Sequence, residues 1–434
     1  MPKIKYLTLI LFLVSTYVHA ADIYISTTGN DTTGNGSIGL PYETIYKGIT
    51  VASAGDTIYV RGGTHMIEPA SPGNAVWIRL KNGTSGSRYT LKGYQDEVAI
   101  LDGTNVPDVL AIIHLSSSSY WTIENLIVQN STAPVEWATH GVYISGTSSN
   151  NIINNLEIRY NDGAGLMIEG SGSDNNYISN TYSHHNYDID SDGGNADGFQ
   201  VVGSTDGSTS PNNNIFYNCR SFNNGDDGFD LWRSYQSQIH YSHAWHNGYL
   251  PDGVTPVSTA GQGDGFKLGR GLADHTLTFN MSWDNRYIGF DYNQGSLNYQ
   301  LYNNTSYNDN ISYGFPTNAN VDLRNNVAYA PVVRVLDANN TALGSFNTWN
   351  LSITAPDFIS LDPDNPNFLR PSAASPLRDA GTDVGLSGAD TSPDLGALPY
   401  VLPSVTYAGP VTGLGATASS TATFAGTPTN LGSQ

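Results

Sequence analysis

Three Asp-Gly-Phe triplets mark the middle of the chain: Asp197-Gly198-Phe199, Asp227-Gly228-Phe229 and Asp264-Gly265-Phe266. A single Asp-Gly pair is an ordinary turn signal. Three in equivalent positions, with Asp226 and Asp230 adjoining, would gather carboxylates that repel one another unless a cation intervenes. Oxygen-only ligands of this kind suit calcium better than a softer metal. Solvated turn aspartates in an Asp-rich protein are the plainer alternative. Lysine occurs only at positions 3, 5, 47, 81, 92 and 267, so Lys267 stands alone after Lys92 and directly follows the third triplet. A lone lysine among carboxylates reads as a catalytic group or as an ion-pair partner of Asp230. Arg233 and Arg270 lie just beyond the same stretches. They read equally as contacts for substrate carboxylates or as structural ion pairs.

Residues so far apart in sequence need a repeating scaffold to meet. Gly141, Gly165, Gly198, Gly228, Gly265, Gly289 and Gly314 each open a short apolar stretch, at successive spacings of 24, 33, 30, 37, 24 and 25. A minimum near 24 with insertions above it predicts an all-β fold, a parallel β-helix of stacked coils. Stacked strands lie ~4.8 Å apart, so equivalent side chains become neighbours. Phe199, Phe229 and Phe266 then point inward with Val201, Leu231 and Leu268, and Gln200, Asp230, Lys267 and Asp291 form an outward column. Asn155, Asn180, Asn218, Asn280, Asn304 and Asn326, with Ser242 in one coil, predict an asparagine ladder along one turn. Insertions at about 131–138, 186–194 and 247–262 would emerge near one turn and wall a cleft, whereas one at about 203–212 follows its strand. Tyr42 to Ala54 reads as a short helix covering the first coil, and residues 364–400 are expected to wrap the last ones.

Composition limits what the scaffold can serve. Residues 1–20 read as a secretory signal, with Lys3 and Lys5 ahead of the apolar Leu7 to Val14 and small residues near Ala20. The catalytic domain is expected over 21–400, with an Ala/Thr/Ser/Gly-rich tail or linker over 401–434. Cys219 is the only cysteine, so no intramolecular disulfide can form, and it is expected to pack as an apolar residue. A net charge of −20 argues against nucleic acid and anionic membranes as partners. An acidic polymer is compatible only where a cation or a local basic cluster offsets the repulsion. An exported, soluble monomer is the expectation.

The run Asn224-Gly225-Asp226-Asp227-Gly228-Phe229-Asp230-Leu231-Trp232 resembles family 9 polysaccharide lyases, as do Asn195 to Phe199 and Gly263 to Gly269. The opening stretches 21–31 and 55–65 are similar to that family with less specificity. The resemblance spans most of residues 21–400 and implies a right-handed parallel β-helix that cleaves pectate or polygalacturonate by calcium-assisted β-elimination. It implies Asp197, Asp226, Asp227 and Asp230 as calcium ligands and Lys267 as the base, with no ligand role for Asp264. Activity should then rise toward alkaline pH, because a lysine must lose its proton to act as a base. Lyases of other acidic glycans, rhamnogalacturonan-type substrates among them, share the pattern. Two rivals remain. One is an inverting hydrolase using Asp226 and Asp227 with Asp197. The other is a non-catalytic glycan-binding solenoid, with Trp232, Trp245 and Tyr249 as stacking platforms.

Overall fold

The structure, a computed structural model, describes residues 20–68, 76–105, 110–132, 139–204, 210–258, 263–270, 274–294, 298–315, 320–329, 344–386 and 392–399, and the backbone of 335–336. Residues 1–19, the tail over 401–434 and parts of the insertions at 131–138, 203–212 and 247–262 lie outside the described residues.

All pairings between the named strands are parallel, and they form two sheets. One has ten strands and includes Val76–Arg79, Ala111–Ser116, His140–Ser145, Leu166–Glu169, Phe199–Val202, Phe229–Asp230, Phe266–Lys267 and Ile288–Asp291. The other has nineteen strands, and its long members Trp121–Gln129 and Ile152–Arg159 each bend to join two faces. Three faces thus enclose one core, which is the parallel β-helix the glycine spacing implies.

The bends follow from backbone chemistry. Asn125, Asn155, Asn180 and Asn218 occupy one corner with φ of 59°, 52°, 50° and 54°. Asparagine tolerates this left-handed region better than other residues with a β-carbon. Here the expected ladder divides into two columns one residue apart. Asn155, Asn180 and Asn218 are corner residues, with Asn155 and Asn180 exposed. Asn280, Asn304 and Asn326 occupy the next position and are buried. There Asn280 Nδ2 donates to Asn304 Oδ1, Asn304 to Asn326 and Asn326 to Asn347, each at 3.0 Å. Ser242 belongs to this inner column, its N–H donating to Asn280 Oδ1 at 2.9 Å and its Oγ accepting from Cys219 N. A second buried ladder runs Asn161, Asn186, Asn224, Asn247, Asn285 and Asp309. Such columns satisfy turn amides that have no water to bond.

Inside, Phe199, Phe229, Phe266, Phe290 and Tyr313 stack ring on ring at 4.9, 4.9, 4.8 and 5.0 Å. Tyr313 pairs with Phe290, which places Gly314 opposite Asp291 rather than Gly289. The last coil in the glycine series therefore departs from the expected alignment by two residues, because an aromatic pair and not a glycine sets its register. Cys219 is buried and unpaired to any other cysteine.

Both ends are covered. The helix spans Ile45–Val51, shorter than the sequence suggested, because Tyr42 instead bridges to Ile25. Thr44 caps it by accepting from Lys47 N, and Ile45, Gly48 and Ile49 face the first coil. At the far end Phe368 and Leu369 pack on Met281 and Trp283, and Leu377 and Leu395 on Val327. No helix among the described residues is long and apolar enough to cross a membrane.

Candidate active site

The strands Phe199–Val202, Phe229–Asp230, Phe266–Lys267 and Ile288–Asp291 pair so that Gln200, Asp230, Lys267 and Asp291 are direct neighbours. Since the phenylalanines beside them point into the core, these four side chains project outward. The glycine of each triplet allows the coils to close. A β-carbon on Gly228 would stand 2.6 Å from the Gly265 carbonyl oxygen and 2.8 Å from Ala244 Cβ. The aspartate before it is therefore held at a fixed corner, next to its counterpart in the coil above.

The three triplet aspartates divide their oxygens between two tasks. Asp197 Oδ1 accepts from Asp227 N at 3.0 Å, Asp227 Oδ1 from Asp264 N at 2.7 Å, and Asp264 Oδ1 from Ile288 N at 2.8 Å. One oxygen of each thus ties its coil to the next. The second oxygens are left for other chemistry: Asp227 Oδ2 meets Lys267 Nζ at 2.7 Å, while Asp197 Oδ2 and Asp264 Oδ2 are buried without a hydrogen-bond partner among the described residues. Asp230 Oδ2 lies 3.2 Å from Lys267 Nζ, and Asp230 Oδ1 is likewise buried and unbonded. Asp197, Asp227 and Asp230 each offer an oxygen within 4.8 Å of the others. Asp226 adjoins this trio with its Oδ2 accepting from Asn195 N at 3.0 Å.

This arrangement carries uncompensated negative charge out of water. Burial, reinforced by Asp226, Asp230 and Asp227, pushes the Asp197 carboxyl well above the usual range. Burial also raises Asp230, to about 6, although Lys267 opposes the shift. Lys267 is itself only 8% exposed. Burial alone would lower its pKa, but Asp227, Asp230, Asp226 and Asp197 together hold it well above the ordinary lysine value. Orphaned carboxylate oxygens packed this closely fit a hard divalent cation, which would satisfy their lone pairs and relieve their repulsion.

Arg233 and Arg270 sit beside this cluster. Trp232, two residues beyond Asp230, lies beneath three cations: Arg233 Cζ at 5.0 Å, Arg270 Cζ at 5.4 Å and Lys267 Nζ at 5.8 Å from the ring centroid. Neither arginine forms an ion pair among the described residues. Trp245 is removed from the cluster and stacks between Phe222 and Trp283 on another face. Tyr249 stacks on His246. Sequence reasoning missed the double use of the aspartate oxygens. The equal placement of Asp before each Gly-Phe was the available signal, since a residue repeated at a turn can bond the amide of the next coil.

A family model described as Pel9A-like, right handed beta helix region, matches residues 23–326. The chain is 31% identical over 384 residues to pectate lyase PEL9 of Emericella nidulans, covering 80% of this chain and 88% of that one. It is 31% identical over 407 residues to pectate lyase L of Dickeya chrysanthemi, covering 86% and 89%. The crystal structure of pectate lyase Pel9A aligns with a TM-score of 0.74 at 26% identity, over 88% of this chain and 96% of that one. A rhamnogalacturonan lyase aligns with a TM-score of 0.69 at 23% identity, over 79% and 91%, a likeness of fold alone.

Proposed function

This chain belongs to the Pel9A-like right-handed β-helix family, and from that premise we propose that it is a secreted pectate lyase, working as a monomer, with a calcium site and a lysine base. The observation that carries the reading is Lys267 Nζ, 2.7 Å from Asp227 and 3.2 Å from Asp230 in one outward column. Asp197, Asp226, Asp227 and Asp230 would hold calcium. Bound there, it supplies charge that attracts a uronate carboxylate and offsets the charge developing as the adjacent C5 proton leaves. Lys267 takes that proton, and the bond from C4 to the leaving oxygen breaks to give an unsaturated chain end. Arg233 and Arg270, on the Trp232 ring, orient neighbouring carboxylates of the polymer. Residues 1–20 direct export and are absent from the mature enzyme.

Lys267 must be neutral to act. The surrounding carboxylates favour its charged form, and counter-charge at those carboxylates favours its neutral form. The deprotonated fraction grows with pH, so turnover should rise from neutral into alkaline solution. Lys267→Ala should lower turnover of polygalacturonate by about a thousandfold, within the range for loss of a positioned base. Calcium binding by the same variant, measured calorimetrically, should persist. Substantial turnover by Lys267→Ala, or a rate independent of pH, would exclude the lysine as base.

A further inference from the structure

A second arginine–tryptophan pair lies on the sheet that carries Lys267, toward the opposite end. Trp77 and Arg79 belong to the strand Val76–Arg79, with Arg79 exposed and its Cζ 5.0 Å from the Trp77 ring centroid. Strand register connects this pair to the chemistry without a break. Trp77 pairs with His114, His114 with Tyr143, Tyr143 with Met167, Met167 with Gln200 and Gln200 with Asp230. Trp77 therefore heads the outward column that contains Asp230 and Lys267. Five strand steps separate Trp77 from Asp230, a distance of about 24 Å at the usual strand spacing.

The other described arginines show what is unusual about this pair. Arg61, Arg159 and Arg324 are tied to Glu97, Glu157 and Asp322, and Arg88, Arg220, Arg370 and Arg378 donate to backbone carbonyls. Arg286 has a partner as well. Arg79, Arg233 and Arg270 make no guanidinium hydrogen bond or ion pair among the described residues, and each rests on a tryptophan: Trp77 within this sheet, or Trp232 just beyond its strand Phe229–Asp230. In a chain of net charge −20, these three guanidinium groups lie on the face where a polyanion would lie. Between Trp77 and Met167 the column is aromatic: His114 and Tyr143 stack at 4.7 Å, and His114 is held by Ser145. Glu169, on the neighbouring strand, is engaged by the Tyr143 hydroxyl.

We infer that Trp77 and Arg79, with the His114–Tyr143 stack, form a distal subsite for the same uronan chain whose cleaved unit sits at Lys267. The inference rests on the lyase reading above. Arg79 pairs with a uronate carboxylate, and the half-buried Trp77 and Tyr143 offer apolar surface to the sugars between, with the buried His114 packed against Tyr143 as its support. A polymer engages this subsite and the catalytic cluster at once, whereas a trisaccharide held at Lys267 is too short to reach Trp77. The subsite therefore makes the enzyme favour long chains and anchors the polymer between successive cuts.

The test compares kcat/KM for polygalacturonate with kcat/KM for trigalacturonate, in the wild type and in Arg79→Gln and Trp77→Ala. Each variant should lower the polymer-to-trimer ratio by about tenfold, the worth of one charge-assisted or stacking contact. The loss should appear in KM for the polymer and not in kcat, as expected when uniform binding is removed. An unchanged ratio, with wild-type turnover intact, would overturn the distal subsite and leave the lyase standing. Equal losses on both substrates would also overturn it, since they would indicate a structural role for the strand. Wild-type protein that yields no unsaturated product would remove the lyase reading and this inference together.

Discussion

Asp197 divides its two carboxylate oxygens between the fold and the proposed calcium site. Its Oδ1 receives the Asp227 amide, and its Oδ2 is buried without a partner among the described residues. Asn at this position would retain the first contact and remove the charge. Asp197→Asn should therefore fold, and in chelator it should melt no lower than the wild type, because a buried carboxyl raised well above its usual pKa has been deleted. Saturating calcium should stabilise the wild type by ~3 kcal/mol at about a hundred times its dissociation constant, and the variant far less. Melting curves with and without calcium distinguish the two tasks. Equal calcium stabilisation of both proteins would mean that Asp197 is no ligand. At this scale the sequence was informative because Asp, Gly and Phe recur together, and Lys267 is the sole lysine after Lys92. The orientation of Asp226 toward the Asn195 amide was not legible, since it depends on the shape of the preceding loop.

Among the elements, the buried asparagine column is interrupted by an acid. Asp309 takes the place of asparagine, receiving Asn285 Nδ2 at Oδ1 and Ser306 Oγ at Oδ2. Burial pushes its carboxyl up to about 7, against the hydrogen bonds from Ser306 and Asn285, which favour the charged form. The native protein therefore keeps this proton to higher pH than the unfolded chain, whose aspartates titrate near ~3.9. Between those values the native state binds more protons, so Asp309 costs stability progressively as pH rises from about 4 to about 7. Asp309→Asn would let Nδ2 donate to Ser306, as Asn186, Asn224 and Asn285 do to Ser183, Ser221 and Ser282. The variant should melt several degrees higher than the wild type at pH 8, with little difference at pH 4. The same difference at both pH values would contradict the assigned titration. The ladders also show where pattern reading slips. Asparagine serves both the left-handed corner at Asn155, Asn180 and Asn218 and the adjacent inner position at Asn280, Asn304 and Asn326. Sequence alone cannot separate columns one residue apart, because the two positions accept asparagine for different reasons. Gly314 misleads in the same way, its apparent repeat overridden by the Phe290–Tyr313 stack.

For the whole molecule, the solenoid turns distance along the chain into adjacency. Asp197 and Lys267 are seventy residues apart in number, yet the strand that Asp197 leads into, Phe199–Val202, lies two steps from the strand of Lys267 in the ten-stranded sheet. The glycine and phenylalanine periods made that architecture legible. The coil bearing Trp77 and Arg79 was not, because it precedes the first glycine of the series and carries no triplet to mark its register. A net charge of −20 opposes the approach of a polyuronate, and the face bearing Lys267 counters it with that lysine, Arg233, Arg270 and a carboxylate cluster suited to a divalent cation. The proposed cation dependence is thus what links fold, site and substrate. It is tested most directly by incubating the purified protein with polygalacturonate, first with calcium and then with excess chelator, while following the ultraviolet absorbance of unsaturated uronate. The account predicts absorbance that grows with calcium and stops on chelation. Growth unaffected by chelator, or new reducing ends without any absorbance, would contradict it.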